Sequence, residues 1–323
     1  MPNVAVIALN WQRSDLLDTC VASVRSQSVQ ANIRLIIFDN ESSAESRAEI
    51  AEMFSGDSPG PGCRLASASL LACEANLGFA AGMNRAIEFA RHKFGPDFFW
   101  LLNNDVEANS GALEALLKAA EEHPDWGILG SRIQGEPLAR GKPLYGGYRY
   151  QPWLSRIKPC LRPEAAPDYI AGAAMFVRAE LFDQVGLLSE SFFLYGEEFD
   201  LARRAVHAGW RQGCAPNSVV WHHSGQSVAA RSPIPGRSAR WAREFFENRS
   251  AFLLAWQHDR WRFPVIAGVR VSAKSARALA GRSEFGAVIA ALKAFRHPLP
   301  KFDDKSEQVK VVQLTWAESG RND

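Results

Sequence analysis

The stretch Phe98-Phe99-Trp100-Leu101-Leu102-Asn103-Asn104-Asp105 joins five consecutive apolar residues to an abrupt polar end. An uninterrupted apolar run of this length is typical of a strand buried on both faces of a parallel sheet. A similar pattern occurs in Val4–Leu9, which precedes Asn10, and in Ile33–Phe38, which precedes Asp39. Sequence with helical spacing separates these runs. The alternation predicts an α/β domain whose strands end in polar side chains.

Further elements follow from the spacing of apolar and turn residues. The predicted strands cover residues 65–72, 126–133, 169–177 and 219–221, and the predicted helices cover residues 14–24, 44–54, 110–123, 179–185 and 197–209, with one more helix ending near residue 91. Residues 134–168 carry Pro, Gly and Tyr without a period and are predicted to form a long loop. From about residue 240 the sequence becomes basic, aromatic and helical.

The composition is that of a globular protein, with 323 residues, 47% apolar and 22% charged. The length favours two domains and makes collagen, a coiled coil or general disorder unlikely architectures. A net charge of +2 gives no reason to expect a nucleic-acid binder. Five cysteines without a C-x-x-C pair favour a reducing compartment. Without a recognisable signal peptide or membrane span, we expect a cytoplasmic protein, with peripheral membrane association left open.

The small net charge conceals an uneven distribution. Residues 240–300 contain eleven Lys or Arg and four acidic residues, a net charge of +7, and nine Trp or Phe are interleaved with them. The rest of the chain therefore carries a net charge of −5. Basic, aromatic helices suit an anionic membrane surface, but they also suit a subdomain that packs its aromatic residues on the catalytic core or on a second subunit.

Three polar clusters follow predicted strands, at the sheet edge where open α/β sheets bind ligands. Asp105 could hold a divalent cation that bridges phosphate oxygens, although Asn-Asn-Asp is also ordinary turn sequence. Asp39 could accept from a base N–H or a ribose hydroxyl, or it could cap the next helix. His222 could bind the same cation through an imidazole nitrogen, or it could be structural.

A fourth cluster, Glu197-Glu198-x-Asp200, begins a helix. Acidic residues in a first helical turn are stabilised by the helix dipole, which is the simple explanation for them. Three carboxylates within four residues exceed that need, and their mutual repulsion raises at least one pKa. A carboxylate with a raised pKa suits removal of a proton from an incoming hydroxyl. Gly78 and Gly82 flank another helix start that could face a phosphate, but they match neither a dinucleotide fingerprint nor a P-loop.

Taken together and in this order, these motifs resemble glycosyltransferase family 2, the GT-A fold enzymes, and in particular its bacterial rhamnosyltransferase-like branch. The similar segments, spread over about residues 3–225, are Val6–Trp11, Ile36–Ser42, Asn76–Asn84, Leu101–Asp105, Gly172–Ala174, Phe193–Leu201 and Trp221–Ser227. The resemblance implies a Rossmann-like GT-A domain in residues 1–235, with a nucleotide-sugar half (1–133) and an acceptor half (134–235). Residues 236–323 would form a helical extension.

The resemblance also implies roles for individual residues. Asp39 would hold the base with Asn10 beside the nucleoside, while Asp105 and His222 would bind Mg²⁺ or Mn²⁺ with the donor diphosphate. Glu198 would be the catalytic base. The remaining nucleotide-sugar contacts would be Asn40, Ser42, Asn76, Gly78, Asn84 and Asn104, and the acceptor side would include Gly172 and Ala173.

Two positions depart from the family pattern. Glu197-Glu198 replaces the usual Glu-Asp, so Glu197 or Asp200 could share or take the role of the base. The D-x-D position reads Asn103-x-Asp105, which leaves one carboxylate for the cation. A sugar hydroxyl needs a base and a nucleoside diphosphate needs charge neutralisation, so one base and one cation suffice for single displacement with inversion.

The predicted function is therefore an inverting, metal-assisted transfer of rhamnose or another hexose or deoxyhexose in cell-surface polysaccharide synthesis. The donor would be dTDP-rhamnose or a UDP-sugar, and the acceptor a saccharide or a lipid-linked saccharide. Two alternatives stay open: a non-catalytic nucleotide-sugar-binding scaffold and a sugar nucleotidyltransferase, the latter without the phosphate loop that its chemistry requires.

Overall fold

The computed structural model describes residues 1–55, 65–135, 137–154, 156–223, 232–281, 283–299 and 307–314. The strands are β1 (Asn3–Trp11), β2 (Asn32–Asn40), β3 (Leu65–Cys73), β4 (Phe98–Asn103), β5 (Val106–Ala108), β6 (Trp126–Gln134), β7 (Leu144–Tyr145), β8 (Gly147–Gln151), β9 (Arg156–Pro159), β10 (Tyr169–Ile170), β11 (Ala174–Arg178), β12 (Arg211–His222) and β13 (Val309–Leu314). The helices are α1 (Ser14–Arg25), α2 (Ala44–Glu52), α3 (Phe79–Phe94), α4 (Ala112–Glu122), α5 (Ala179–Val185), α6 (Glu197–His207), α7 (Ala239–His258), α8 (Phe263–Leu279) and α9 (Phe285–Ala294). Part of the His222 motif, residues 224–227, lies outside the described residues.

A central sheet organises the described chain in the order β13-β3-β2-β1-β4-β11-β6-β12-β5, with β7 paired to β6. Six strands, β1, β2, β3, β4, β6 and β12, run in one direction, and the others are antiparallel to them. The predicted α/β class with a mostly parallel sheet is thus confirmed. The carboxyl ends of β1, β2 and β4 lie side by side, because Leu9 pairs with both Phe38 and Asn103.

Burial on both faces explains the uninterrupted apolar runs. In β1, Val4, Val6 and Ala8 belong to one buried cluster, and Ala5 and Ile7 belong to the other. Residues of α1 and α4 cover the first cluster, and residues of α3 and α5 cover the second. The result is a three-layer arrangement in which the polar strand ends are left at one edge.

Three predictions for the acceptor half need correction. Residues 134–168 are not a featureless loop, since they contain β7, β8 and β9, and a second sheet has the order β10-β8-β9. The single strand predicted over residues 169–177 is two strands, β10 and β11, because the chain turns at Ala171 to Ala173. β12 is far longer than the predicted residues 219–221, and its register with β6 shifts between Ala215 and Val219. In the nucleotide-sugar half, β5 was not predicted.

The C-terminal region is helical, as predicted, but it also returns to the sheet. β13 pairs antiparallel with β3, with Val311 opposite Leu71, and forms the edge strand. The strand went unrecognised because most of its side chains are exposed, so the two-residue alternation of a half-buried strand is missing. Within the residues that the structure describes, no helix has the length and hydrophobicity needed to cross a membrane.

The four cysteines among the described residues, Cys20, Cys73, Cys160 and Cys214, are buried free thiols. Burial raises the pKa of the Cys20 thiol to about 12. These four thiols are therefore members of the core, and Cys63 lies outside the described residues.

Candidate active site at the carboxyl edge of the sheet

A chain of buried side chains connects the ends of β4, β1 and β2. Asn104 Nδ2 donates to Asn10 Oδ1 at 2.8 Å, and Asn10 Nδ2 donates to Asp39 Oδ1 at 2.8 Å. Ser46 of α2 donates to Asp39 Oδ2, also at 2.8 Å. Burial raises the pKa of Asp39, and the hydrogen bonds from Ser42, Ser46 and Asn10 oppose that rise. Three of the predicted nucleotide-binding residues therefore form one rigid polar unit.

A second polar group shapes the loop before α3. Asn40 Nδ2 donates to Asn76 Oδ1 and to the Gly78 carbonyl, each at 3.1 Å, and Asn40 Oδ1 accepts from the Leu77 N–H at 2.8 Å. Asn40, Asn76 and Gly78 line a cavity of about 110 Å³ at the same edge. The remaining lining residues are Leu9, Trp11, Phe79, Asn103, Asn104, Phe193, Leu194 and Pro233. The cavity brings the ends of β1, β2 and β4 together with the segment that precedes α6.

The cation pair predicted from sequence is assembled by strand pairing. β12 lies antiparallel to β5 with His222 opposite Val106, which sets His222 beside the preceding residue, Asp105. His222 Nε2 is 3.2 Å from Asp105 Oδ1 and 3.5 Å from Asn103 Nδ2. Both side chains of the pair are largely buried, with 12% and 6% of their surface exposed. Asp105 Oδ1 is a buried oxygen without a well-oriented hydrogen bond.

These two side chains fit a divalent cation. Adjacent ligand atoms of an octahedral site with bonds of about 2.1 Å are separated by about 3 Å, close to the spacing of the Asp105 oxygen and the His222 nitrogen. No cluster of three or more His, Cys, Asp or Glu suited to a metal ion occurs among the described residues. One carboxylate and one imidazole would leave most coordination positions to phosphate oxygens and water, as is usual for Mg²⁺ at nucleotides.

The acceptor-side segment links this pair to the acidic cluster. The Asn103 N–H donates to the Ala173 carbonyl at 3.0 Å, so Gly172 and Ala173 lie at the end of β4. A Cβ atom at Gly172 would be 3.9 Å from Glu198 Oε1, which shows that the Glu198 carboxyl lies over this glycine. The structure thus brings the segments of Asp105, Gly172 and Glu198 to one edge.

Glu197 and Glu198 form a coupled acidic pair at the start of α6. Burial first, and the nearby Glu198 charge second, raise the pKa of Glu197 well above its ordinary range. Burial also raises the pKa of Glu198, against the Gly196 N–H that donates to Glu198 Oε2 at 3.0 Å. Glu197 is buried whereas Glu198 is only partly covered. Glu198 is therefore the member of the pair that can reach a ligand.

Asp200 is held by two side-chain partners, which disfavours the alternative that it shares the role of a base. Its Oδ2 accepts from Arg204 Nε at 2.8 Å, and its Oδ1 is 2.9 Å from His258 Nε2 of α7. Burial alone would raise its pKa, but the hydrogen bond to His258 and the Arg204 charge hold the pKa of Asp200 below its ordinary value. Asp200 is an ionised group that fixes α6 against α7.

Asn84 and Gly82 have structural contacts. Asn84 donates to the Leu188 carbonyl at 2.9 Å and to Glu190 at 3.0 Å, and it accepts from the Leu188 N–H. A Cβ at Gly82 would lie 2.8 Å from Leu9, so this glycine allows α3 to pack closely on the sheet. Asn84 thus holds the loop that precedes α6, and a direct contact of Asn84 with a nucleotide stays a prediction. Ser42 lies at the end of β2, where Arg47 contacts its hydroxyl.

Sequence reasoning missed several residues that shape the site. Gln12, Glu41 and Tyr195 have positive φ angles of 50°, 66° and 66°, although none is glycine. Gln12 follows β1, Glu41 follows β2, and Tyr195 precedes α6. Strained backbone of this kind clusters at functional sites. The buried Arg249 of α7 donates to the Ser191 carbonyl at 2.7 Å and to the His297 carbonyl at 2.9 Å. In the sequence Arg249 is only one arginine within an aromatic stretch, and this pattern does not predict its contacts.

Sequence comparison finds one family and several relatives for this chain. The family model of glycosyl transferase family 2 matches residues 4–185. An N-acetylglucosaminyl-diphospho-decaprenol L-rhamnosyltransferase of Mycobacterium tuberculosis is 28% identical over 284 residues, which cover 79% of this chain and 85% of that protein.

Solved structures share the fold at low sequence identity. A mannosyltransferase of Pyrobaculum calidifontis in complex with GDP-Man and Mn²⁺ has a TM-score of 0.50 at 15% identity, over 91% of this chain and 80% of that one. S. aureus TarS, residues 1–349, in complex with UDP-GlcNAc has a TM-score of 0.54 at 14% identity, over 92% of this chain and 82% of that one. The predicted GT-A fold is thereby confirmed.

Proposed function

The chain belongs to glycosyl transferase family 2, and from that premise we propose that it is an inverting transferase that uses Glu198 as its base. The donor is a nucleoside diphosphate sugar, and the acceptor is a saccharide hydroxyl. The observation that carries this proposal is the position of the partly covered Glu198 carboxyl over Gly172, in a segment hydrogen-bonded to the end of β4 beside Asp105.

The reaction is a single displacement. The acceptor oxygen attacks the anomeric carbon, its proton passes to Glu198, and the bond between the anomeric carbon and the diphosphate oxygen breaks. The Gly196 N–H holds Glu198 Oε2, which orients the carboxylate. A divalent cation, Mg²⁺ or Mn²⁺, held by Asp105 and His222 would neutralise charge on the departing diphosphate.

The polar unit of Asn104, Asn10 and Asp39 supports a nucleoside site at the end of β1 and β2. The two Asp39 oxygens offer about four acceptor positions, and the hydrogen bonds from Asn10, Ser46 and Ser42 use three of them, which leaves one for a base N–H. The remaining predicted contacts, Asn40, Asn76 and Gly78, line the adjoining cavity.

We further propose rhamnose or a related hexose as the sugar, and a lipid-linked saccharide as the acceptor. Support comes from the Mycobacterium tuberculosis relative, whose name states L-rhamnosyl transfer to N-acetylglucosaminyl-diphospho-decaprenol. The donor would then be dTDP-rhamnose or a UDP-sugar. A lipid-linked acceptor also favours a peripheral membrane location on the inner face of the plasma membrane.

Neither alternative kept from the sequence gains support. A sugar nucleotidyltransferase is disfavoured because the chain belongs to a transferase family of another chemistry. A non-catalytic scaffold is disfavoured because the base position holds a partly covered carboxyl with a raised pKa, which is suited to proton removal.

A donor screen tests the proposed function. The assay measures nucleoside diphosphate release from a panel of nucleotide sugars with a saccharide acceptor. At least one donor is expected to turn over, and Glu198→Gln is expected to lower kcat about a hundredfold to ten-thousandfold, the usual range for loss of a general base. The matched control is Glu180→Gln, an exposed glutamate of α5. Equal turnover by Glu198→Gln and the control would refute the base assignment.

A further inference from the structure

Helix α8 packs Ile266 on the core, but two of its charged side chains, Arg270 and Lys274, also turn inward, and several of its apolar side chains face outward. Lys274 contacts Glu244 of α7, and Arg270 Nε donates to Asn248 Oδ1 at 2.7 Å. Burial lowers the pKa of Arg270. An ordinary surface helix shows the opposite orientation, with its apolar stripe packed on the core.

The outward surface of α8 is almost devoid of charge. Its exposed residues are Pro264, Val265, Gly268, Val269, Ser272, Ala273, Ala276, Arg277 and Leu279. We call these residues the α8 outer face. Leu279 is 92% exposed and Val265 is 48% exposed, although both are large apolar side chains. Such a contiguous apolar strip marks an interaction surface.

Two exposed tryptophans extend the α8 outer face toward the catalytic domain. Trp153 follows β8, and Trp261 precedes α8; their rings meet edge to face with centroids 5.3 Å apart. Arg262 lies over both rings, at 4.9 Å and 4.5 Å. Tyr150 of β8 packs on Phe199, the residue after Glu198, at 4.8 Å between ring centroids. The exposed strip therefore continues from α8 to the β8–β9 hairpin, whose Tyr150 packs against α6.

The charge around this strip is positive. Residues 260–279 contain five Lys or Arg and no acidic residue. Two of the five, Arg270 and Lys274, are the inward-facing ones, and Arg262 is paired with Asp259 at 3.1 Å. Arg260 and Arg277 remain exposed. A third exposed arginine, Arg296, lies near Arg260, since both guanidinium groups lie over the Trp256 ring, at 4.6 Å and 4.2 Å from its centroid. An apolar helix face bordered by tryptophan and arginine matches the interface of an anionic membrane.

We propose that the α8 outer face, with Trp153 and Trp261, lies in the plane of an anionic membrane surface. The docked orientation places the β8 hairpin and the Glu198 end of α6 next to the lipid headgroups, where a lipid-linked acceptor is presented. That consequence for catalysis rests on the proposed function, whereas the docking itself does not.

Vesicle sedimentation tests the docking with the full chain. Intact protein is expected to sediment with vesicles of phosphatidylcholine and phosphatidylglycerol, and far less with phosphatidylcholine alone. The double variant Val265→Glu with Val269→Glu is expected to lower the partition coefficient at least about tenfold, because it places two carboxylates in the apolar strip. Arg260→Ala is expected to lower it about fivefold, the contribution of one cation near an anionic surface.

The matched control is Val206→Glu on α6, an equally exposed helical valine outside the α8 outer face. It should bind vesicles as the intact chain does. Unchanged binding of the double variant, or no binding of the intact chain to anionic vesicles at low salt, would overturn the proposal. So would a dimer in sedimentation velocity that the double variant dissociates while neither protein binds vesicles.

The outcome separates docking from catalysis, because sedimentation requires no nucleotide sugar. A chain that binds vesicles but releases no nucleoside diphosphate would contradict only the proposed function. A chain that turns over a donor with a water-soluble acceptor but ignores vesicles would contradict only the docking.

Discussion

Three carboxylates in the first turn of α6 have different surroundings and therefore different chemistry. Asp200 is bound by Arg204 and His258, Glu197 is buried without a partner for its Oε2, and Glu198 is partly covered beside Gly172. All three are acidic residues within a span of four positions, so residue type and spacing do not distinguish their chemistry. What separates them is the direction of each side chain around the helix, together with what packs there.

The pH dependence of kcat should report the Glu198 carboxylate. Because burial raises the pKa of Glu198, and a base must be deprotonated, activity should fall as the pH drops through a value above that of an ordinary glutamate. The measurement is kcat as a function of pH with saturating donor and acceptor.

Glu197→Gln serves as the comparison for that profile. Glu197 is buried, whereas Glu198 is only partly covered, so Glu197 is the member of the pair that we expect to keep the proton, and glutamine resembles its neutral form. The variant should keep most of its activity and the same acid limb. Loss of that limb in Glu197→Gln would identify Glu197 as the base instead.

Cation affinity should depend on Asp105 far more than on a neighbouring acid. Asp105→Asn removes a charged oxygen 3.2 Å from His222 Nε2 and is expected to weaken Mn²⁺ binding at least about tenfold. Electron paramagnetic resonance titration of Mn²⁺ with the nucleoside diphosphate measures this without turnover. Glu107→Gln, an exposed position two residues along, is the control and should leave the affinity unchanged. Equal affinities for all three proteins would contradict the assignment.

At the scale of elements, α3 and the segment before α6 meet at a contact that tolerates no side chain. Gly78 has a φ angle of 82°, and a Cβ there would lie 2.6 Å from the Phe193 carbonyl oxygen. The Phe79 N–H donates to the same carbonyl at 2.7 Å. The start of α3 was predicted as a site that could face a phosphate. One of its N–H groups, that of Phe79, instead binds the segment that precedes α6.

Gly78→Ala should therefore destabilise the protein more than an open glycine position does. The backbone angles of Gly78, φ 82° and ψ 178°, lie in a region populated almost only by glycine, so alanine there costs about 1–3 kcal/mol in the free energy of unfolding, and the contact with Phe193 adds to it. Gly186→Ala isolates the first effect, because Gly186 has nearly the same backbone angles, φ 77° and ψ 174° against φ 82° and ψ 178° at Gly78. Among the described residues, an alanine Cβ at Gly186 would meet no atom within 4 Å apart from its own chain neighbours. Urea denaturation compares the two variants, and equal losses would refute the contact argument.

Helix α7 is a further element that acts on the site from a distance in sequence. Besides the Arg249 contacts, Ser250 donates to the Leu194 carbonyl at 3.1 Å, and the Phe193 and Phe246 rings stack with centroids 4.9 Å apart. The predicted aromatic packing on the core thus applies to α7 and to Phe263 of α8, whereas Val265 and Leu279 of α8 face outward. The membrane interpretation left open for the basic tail stays a proposal, and it concerns the α8 outer face.

At the scale of the whole molecule, the C-terminal region is continuous with the core. Phe246 and Phe252 are fully buried in the same cluster as β1. A chain truncated after Gly236 should lose cooperative unfolding, because loss of each buried phenylalanine costs about 3–5 kcal/mol, against a typical total of about 5–15 kcal/mol. Differential scanning calorimetry of the truncated and intact chains checks this. A cooperative transition at the intact Tm would instead support residues 1–235 as an independent domain.

The sequence by itself determined the α/β class, the family and the main site candidates. The apolar runs of β1, β2 and β4 are long enough to require burial on both faces, and the polar residues that end them must then share one edge. Asp39, Asp105, His222 and Glu198 were located in this way and by their resemblance to family motifs. These are local signals, since each depends on residues adjacent along the chain.

Only the tertiary structure decided which neighbours those residues have. Strand register set His222 beside Asp105, and helix packing placed His258 beside Asp200. β13 pairs with the edge of the sheet, although its mostly exposed side chains did not predict a strand. In α8, periodicity reveals an apolar stripe but not the side on which the stripe lies. Glu244 and Glu247 of α7 draw Lys274 and Arg270 inward on the side of Ile266. The apolar side chains of Val265, Val269 and Leu279 are left facing outward.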